Sequence, residues 1–462
     1  MGTSWAMRMA LWGGLAVLSG LWSCTLPKDK EPQRAEPGPW MLDNPALETD
    51  RPGEAPRAQE IRVGILHSLS GPLEQREKPL KDMALMAIAE INARGGVLGR
   101  QLRPIVMDPS SKMGAYFEEQ AHELLEVQKV AVIFGCWTDR SREQVEQVLR
   151  ESDGLLFYPA PYGGRESSYH IFYTGSVPNQ RALPVVDYLL SPLGGNIRRF
   201  ALVGTENAYA KSTNEVLRHY LRGKGISDQH VIERYTPHTH TDYEDIVAEI
   251  KELGASRSAA VISTLNGESN SAFLLTLAAQ GLSASAVPVV SLGVDETLLL
   301  GTDIKPFVGH LAATNYAMSI ENELNTAFIH NWKEHVSNRN VDEVQKLVTS
   351  GPLEATYLGV HLWAQAVEQA RTIKVDAVRQ ALAGQRFTAP SGFEVAIDEK
   401  NHHIHRPVFI SQIQANGQLR VLWQSPLAVV PEPFSSHVPE NIGLVADWTY
   451  PWVCGGCTKP QY

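Results

Sequence analysis

From residue 61 onward the chain alternates between two kinds of apolar pattern. Short, continuous apolar runs at 61–66, 102–106, 130–134, 155–158, 200–203, 259–262 and 287–290 have the length and composition of strands buried on both faces. Between them, apolar residues return every three or four positions. Leu80, Met83, Ala84, Ala87, Ile88 and Ile91 make the first such stretch, with Pro79 expected in its first turn and Gly95-Gly96 closing it. Further helical stretches lie at 140–151, 212–221 and 243–253. This alternation predicts βαβ units and mainly parallel sheets. The strands are too many for one compact sheet, so the expected fold is α/β with two lobes, each a sheet covered by helices on both faces. A ligand would then sit where strand ends of the two lobes face one another.

The N-terminal region breaks this pattern. Residues 1–23 carry one basic residue, Arg8, and an apolar stretch at 9–17 that is too short to span a bilayer. This is the layout of an export signal. The following Leu21-Trp22-Ser23-Cys24 is similar to a bacterial lipobox, in which Cys24 takes the lipid and becomes the mature N-terminus. An ordinary signal peptide with a chance cysteine is the alternative, because Trp22 is atypical there. Residues 24–59 place Pro27, Pro32, Pro37, Pro39, Pro45, Pro52 and Pro56 among charges, a composition that buries no core and predicts a tether. The expected location is the periplasm or cell surface of a bacterium, with membrane contact only through the lipid.

Charge excludes one class of partner. The 462 residues carry a formal net charge of −10, and no run of Lys and Arg offers a track for phosphates, so nucleic acid is not an expected partner.

Several collinear blocks resemble one family. Ile65-Leu66-His67-Ser68-Leu69-Ser70-Gly71, Glu90-Ile91-Asn92-Ala93-Arg94-Gly95-Gly96-Val97-Leu98-Gly99, Val132-Ile133-Phe134-Gly135-Cys136-Trp137-Thr138 and Gly154-Leu155-Leu156-Phe157-Tyr158-Pro159 are similar to the branched-chain-amino-acid type of periplasmic binding protein. Blocks at 171–175, 178–180, 263–270 and 398–403 continue the match, and the urea- and short-chain-amide-binding branch is the most similar. The resemblance implies a type I periplasmic-binding-protein fold: two Rossmann-like lobes joined by three hinge crossovers. It implies lobe 1 from 60–179 and 315–385, lobe 2 from 180–314 and 386–435, and a C-terminal tail at 436–462. It also implies a protein without catalysis or cofactor that captures a small polar solute by hinge closure and passes it to ABC permease subunits. The alternatives are an amide sensor built on the same clamp, and a clamp that has lost its ligand and serves as a scaffold.

Candidate ligand contacts follow the strands. Trp137, Thr138 and Asp139 sit between a strand and an amphipathic helix, where backbone N–H groups are free to donate. Asp139 stands where the resembled branch has Ser, so it either faces the ligand or caps the helix. Tyr158, Ala160 and Tyr162 follow the next strand, with Gly163 where relatives carry Glu. On the other lobe, Asn207 and Tyr209 occupy a departed loop, while Thr264, Asn266, Asp295 and Glu296 end or follow strands and could equally satisfy turns. Asp139, Asp295 and Glu296 together predict an acidic cleft that prefers a cation.

Other chemistry carries less. Cys136 beside Trp137 lacks the local signature of an amide-cleaving nucleophile. His238-Thr239-His240 and His402-His403-Ile404-His405 are metal ligands by type, but no third ligand is defined and no metal is expected. Cys454-Gly455-Gly456-Cys457 suits a small disulfide loop or a loose tail, with a redox pair as the alternative.

Overall fold

The computed structural model describes residues 60–112, 116–255, 258–300, 302–337, 348–444 and 446–447. Cys24, Cys454 and Cys457 lie outside the described residues. Among those described, no helix is long and apolar enough to cross a membrane.

The first sheet contains β1 (Glu60–Leu66), β2 (Gln101–Met107), β3 (Ile133–Gly135), β4 (Leu156–Tyr158) and β5 (Ile171–Tyr173). Its order is β2-β1-β3-β4-β5, all parallel. The second contains β6 (Arg199–Thr205), β7 (Val231–Thr236), β8 (Ala259–Thr264), β9 (Val289–Ser291) and β10 (Leu311–Thr314). After a short hairpin of β11 (Arg386–Thr388) and β12 (Glu394–Ala396), β13 (Phe409–Ile413) and β14 (Leu419–Gln424) join the second sheet as an antiparallel edge. Its order is β14-β13-β10-β9-β8-β6-β7. The run β7-β6-β8-β9-β10 repeats the order of the first sheet, so each lobe is doubly wound. Each has a switch point, between β1 and β3 and between β6 and β8, where loops diverge and leave room for a ligand.

Alternate residues explain why the strands are continuous apolar runs. Phe200, Leu202, Ala260 and Ile262 enter one core of the second lobe, and Ala201, Val203 and Val261 enter the core on the opposite face. The first helix runs Glu74–Ala93, so Pro79 lies inside it and not in its first turn. Glu74 and Glu77 occupy the first turn, where carboxylates suit the positive end of the helix, and Glu77 N bonds the Leu73 carbonyl at 2.9 Å. Gly96 closes the turn with φ 78; a Cβ there would lie 1.9 Å from the Arg100 carbonyl oxygen.

Three crossovers join the lobes, and side-chain amides tie them together. Asn315 Nδ2 donates to the carbonyls of Gln180 at 3.2 Å and Pro407 at 2.8 Å, one in each of the other crossovers. Gln180 Nε2 in turn donates to Ile404 and Val429 carbonyls at 2.8 and 2.9 Å. Buried Arg406 pairs with buried Glu354 and donates to the Thr174 carbonyl at 2.9 Å. The third crossover comes later than the expected boundary at 386. Val395, Ile397 and Ile404 bury themselves with Trp363 and Phe172 in the first lobe, and Ile404 N bonds the Tyr173 carbonyl beside β5 at 3.0 Å.

Candidate functional site

The turn after β3 sets the floor of the first lobe. Gly135 passes so close to β1 that a Cβ would meet the Leu66 carbonyl oxygen at 2.2 Å, and Cys136 takes a left-handed φ of 65. Thr138, not Asp139, caps the helix Asp139–Ser152: its side chain accepts from Ser141 N, and Ser141 reciprocates to Thr138 N. Asp139 is the first helical residue, and its carboxylate accepts from Arg142 Nη1 at 2.9 Å. That guanidinium is 3% exposed and also grips Glu166 through two bonds of 2.9 and 2.6 Å. Burial alone would raise the Glu166 carboxyl; the Arg142 charge and the Tyr173 hydroxyl hold it below the usual range.

This network decides where the sequence-predicted tyrosines go. Arg142 lies over the rings of Tyr158 and Tyr162 at 4.8 and 4.7 Å. Tyr158 donates to the Trp137 carbonyl at 2.8 Å, and the Tyr162 hydroxyl lies 2.5 Å from His403 Nε2. Tyr158, Ala160 and Tyr162 are each 1% exposed, so they support the floor and do not line it. Arg142, Glu166 and Tyr173 escaped sequence reasoning; the Asp139/Arg142 spacing of three along a helix was the one available signal.

On the second lobe the candidates serve the backbone first. Asn207 caps the helix Ala208–Gly223, accepting from Ala210 N at 2.8 Å. Tyr209 accepts from Arg181 Nη2 at 2.9 Å, and Arg181 Nη1 holds the Leu292 carbonyl at 2.8 Å. Thr264 is buried against Asn214, at 3.2 Å from its Oδ1, while half-buried Asn266 is fixed by its backbone N–H to Thr205 Oγ1 at 3.0 Å. Asp295 caps the short helix Glu296–Leu299, accepting from Leu298 N at 2.9 Å.

Among the described residues the lobes touch at several places, Thr297 Oγ1 donating to Ser350 Oγ at 3.0 Å being one, and two more involve positions singled out from sequence. Arg76 Nη1 of the first lobe reaches Asp295 Oδ1 of the second at 3.4 Å, while its guanidinium lies 5.9 Å from the Trp137 ring centroid. At the other place, Ser212 Oγ donates to the Gly163 carbonyl at 2.6 Å and Arg165 pairs with Glu215 at 2.7 Å. At Gly163, where the resembled branch has an acidic residue, a Cβ would lie 3.0 Å from Ser212 Cβ, so any larger side chain would have to push Ser212 back.

The acidic cleft expected from sequence does not form. Asp139 is paired with Arg142 and Asp295 with Arg76. Glu296 is 1% exposed; burial raises its carboxyl to about 8, against the opposing pull of Met318 N at 2.7 Å, so it is protonated at neutral pH. Trp137, Thr138, Tyr209, Asn266 and Asp295, with Arg76, remain as polar and aromatic groups beside the switch-point loops.

The remaining sequence candidates have local roles. The Cys136 thiol is fully buried and burial pushes its pKa up, the opposite of an activated nucleophile. His402 and His403 stack on Phe172 and Tyr173 at 4.4 and 4.1 Å, and burial lowers them to about 3 and about 4. His240 packs edge-on against Tyr243.

Comparison with known proteins gives a consistent result. Residues 61–440 match the family model described as periplasmic binding protein domain. The Leu/Ile/Val-binding protein homolog 7 of Brucella melitensis is 23% identical over 397 residues, covering 82% of this chain and 94% of that protein. Among solved structures, an ABC-transporter solute-binding protein of Rhodopseudomonas palustris BisB5, in complex with 3,4-dihydroxybenzoic acid, superposes with a TM-score of 0.67 at 18% identity. It covers 82% of this chain and all of that one. An amino acid ABC transporter substrate-binding protein of Pseudomonas fluorescens Pf-5 gives a TM-score of 0.69 at 16% identity, covering 82% of this chain and 99% of its own.

Proposed function

The chain belongs to the periplasmic binding protein family, whose members carry solutes and are not enzymes, and on that premise we propose that it captures a small, neutral, hydrogen-bonding solute of the urea or short-chain-amide class. One observation carries the choice of a neutral solute: Asp139 and Asp295 are already paired with guanidinium groups, while Glu296 is buried away from solvent, which raises its carboxyl. A cationic or anionic solute would have to share those paired groups and would add a net charge to a site whose own charges already balance. A neutral amide meets carbonyl, hydroxyl and N–H groups without that cost. Trp137, Thr138 and Arg76 on one lobe and Tyr209, Asn266 and Asp295 on the other are the proposed contacts. The solute favours the closed lobes by binding both at once.

The same reading makes Cys24 a lipid attachment site, 24–59 a tether, and ABC permease subunits the partners that receive the solute. Conversion of Cys24 to Ala should release the chain from the membrane fraction of its bacterial host. A second reading, an aromatic carboxylate, draws on Arg76 over Trp137 and on the dihydroxybenzoate held by the R. palustris protein. Titration calorimetry with urea, acetamide, guanidine, ethylamine and benzoate separates the cases. Heat with urea or acetamide supports the proposal; binding confined to the amines or to benzoate overturns it.

A further inference from the structure

Residues 431–441 form a strap after the last strand that passes the first lobe at Arg165, whose backbone N–H donates to the Pro433 carbonyl at 2.6 Å, and then packs on the second lobe. Val438 is fully buried against Leu183 and Val216, and the His437 ring lies 4.8 Å from that of Tyr220. The turn Pro439–Asn441 is held by Asn441 Nδ2, which donates to the Ser435 carbonyl at 3.2 Å. These contacts fix Glu440 above the helix Ala208–Gly223. On that helix Glu215 and His219 are four residues apart and share a face. One ligand atom from each of Glu215, His219 and Glu440 lies within 4.8 Å of the other two.

We propose that Glu215, His219 and Glu440 bind a divalent transition-metal ion, zinc being the best match, which pins the strap to the second lobe. The donor set is one imidazole nitrogen and two carboxylates, a combination suited to zinc, with water completing a tetrahedron. Metal–ligand bonds of about 2.0–2.2 Å require the donors to draw closer by about 1 Å, within the rotamer freedom of surface glutamates. Glu215 Oε2 is engaged by Arg165 at 2.7 Å, which leaves Oε1 for the ion. The side chains of His219 and Glu440 make no hydrogen bond or ion pair with any described residue, so binding displaces only water from them.

The test is equilibrium zinc binding by untagged full-length protein stripped with chelator, in a Cys454→Ser/Cys457→Ser background that removes the tail thiols as competing ligands. The expected result is one zinc site that neither magnesium nor calcium fills, lost in both His219→Gln and Glu440→Gln, with zinc raising the apparent melting temperature of the parent but of neither variant. Circular dichroism without metal should be the same for all three, separating loss of the site from loss of the fold. No zinc binding by the parent, or binding that survives both substitutions, overturns the proposal.

Discussion

Arg76 Nη1 and Asp295 Oδ1 stand 3.4 Å apart across the two lobes although 219 positions separate them in the chain. Both side chains keep some exposure, 23% and 12%, so the pair is worth about 0.2–1 kcal/mol and is weakened by salt. Asp295 is also a helix cap, which makes Arg76 the cleaner position to change. Arg76→Gln should loosen lobe apposition: small-angle scattering of the unliganded protein should give a larger radius of gyration for the variant at low salt, with the difference shrinking as salt is added. An identical radius at low salt would show that the pair does not hold the lobes.

Glu166 neutralises a guanidinium that is 3% exposed. Glu166→Gln leaves Arg142 with Asp139 alone and should cost about 3 kcal/mol, near the lower end for uncovering a buried charge because Asp139 remains. Denaturant unfolding measures it, and a loss below about 1 kcal/mol would place the charge balance elsewhere. The sign with pH follows from the direction of the shift. A carboxyl held below its unfolded value stabilises the fold above that unfolded value and loses its contribution as pH falls through the lowered one, so the variant's deficit should shrink in acid.

Glu296 has the opposite sign. Its carboxyl is raised from 4.5 to about 8, so the fold binds a proton that the unfolded chain has released between those values. Stability from this group is complete below 4.5 and declines as pH rises toward 8. Glu296→Gln keeps the carbonyl acceptor for Met318 N and removes the titration. Its melting temperature should match the parent at pH 4.5 and exceed it increasingly up to pH 8. Parallel curves for the two proteins would refute the assignment.

Asn315 bonds the carbonyls of Gln180 and Pro407 from the middle crossover. Asn315→Leu deprives two buried acceptors of their donor and should cost about 1–3 kcal/mol in denaturant unfolding. It should also raise hydrogen exchange at 178–182 and 404–408 more than in the sheets. A uniform rise across both lobes would mean that the residue serves global stability and not the hinge.

Much of the architecture was legible along the chain because strands buried on both faces need continuous apolar runs and their helices need apolar residues at three- and four-residue steps. The expected strands at 61–66, 102–106, 200–203 and 259–262 lie within β1, β2, β6 and β8. Periodicity missed β7, an edge strand whose Glu233 and Arg234 break any apolar run, and the three-residue β5. It also misplaced 386–404, whose few apolar residues are assigned to a lobe only by what they touch. The site was legible as loops and not as chemistry. Residue type and spacing placed Trp137, Thr138 and Asp139 at the junction of a strand and a helix, but the cap weighed for Asp139 falls on Thr138. Whether an aspartate is a free charge depends on partners brought from elsewhere by the fold: Arg76 reaches Asp295 across the cleft, and the buried Glu296 carboxyl keeps its proton because water is excluded around it. Local periodicity reflects burial face by face, whereas charge in the cleft is a property of distances between distant segments, and only the tertiary structure decided those.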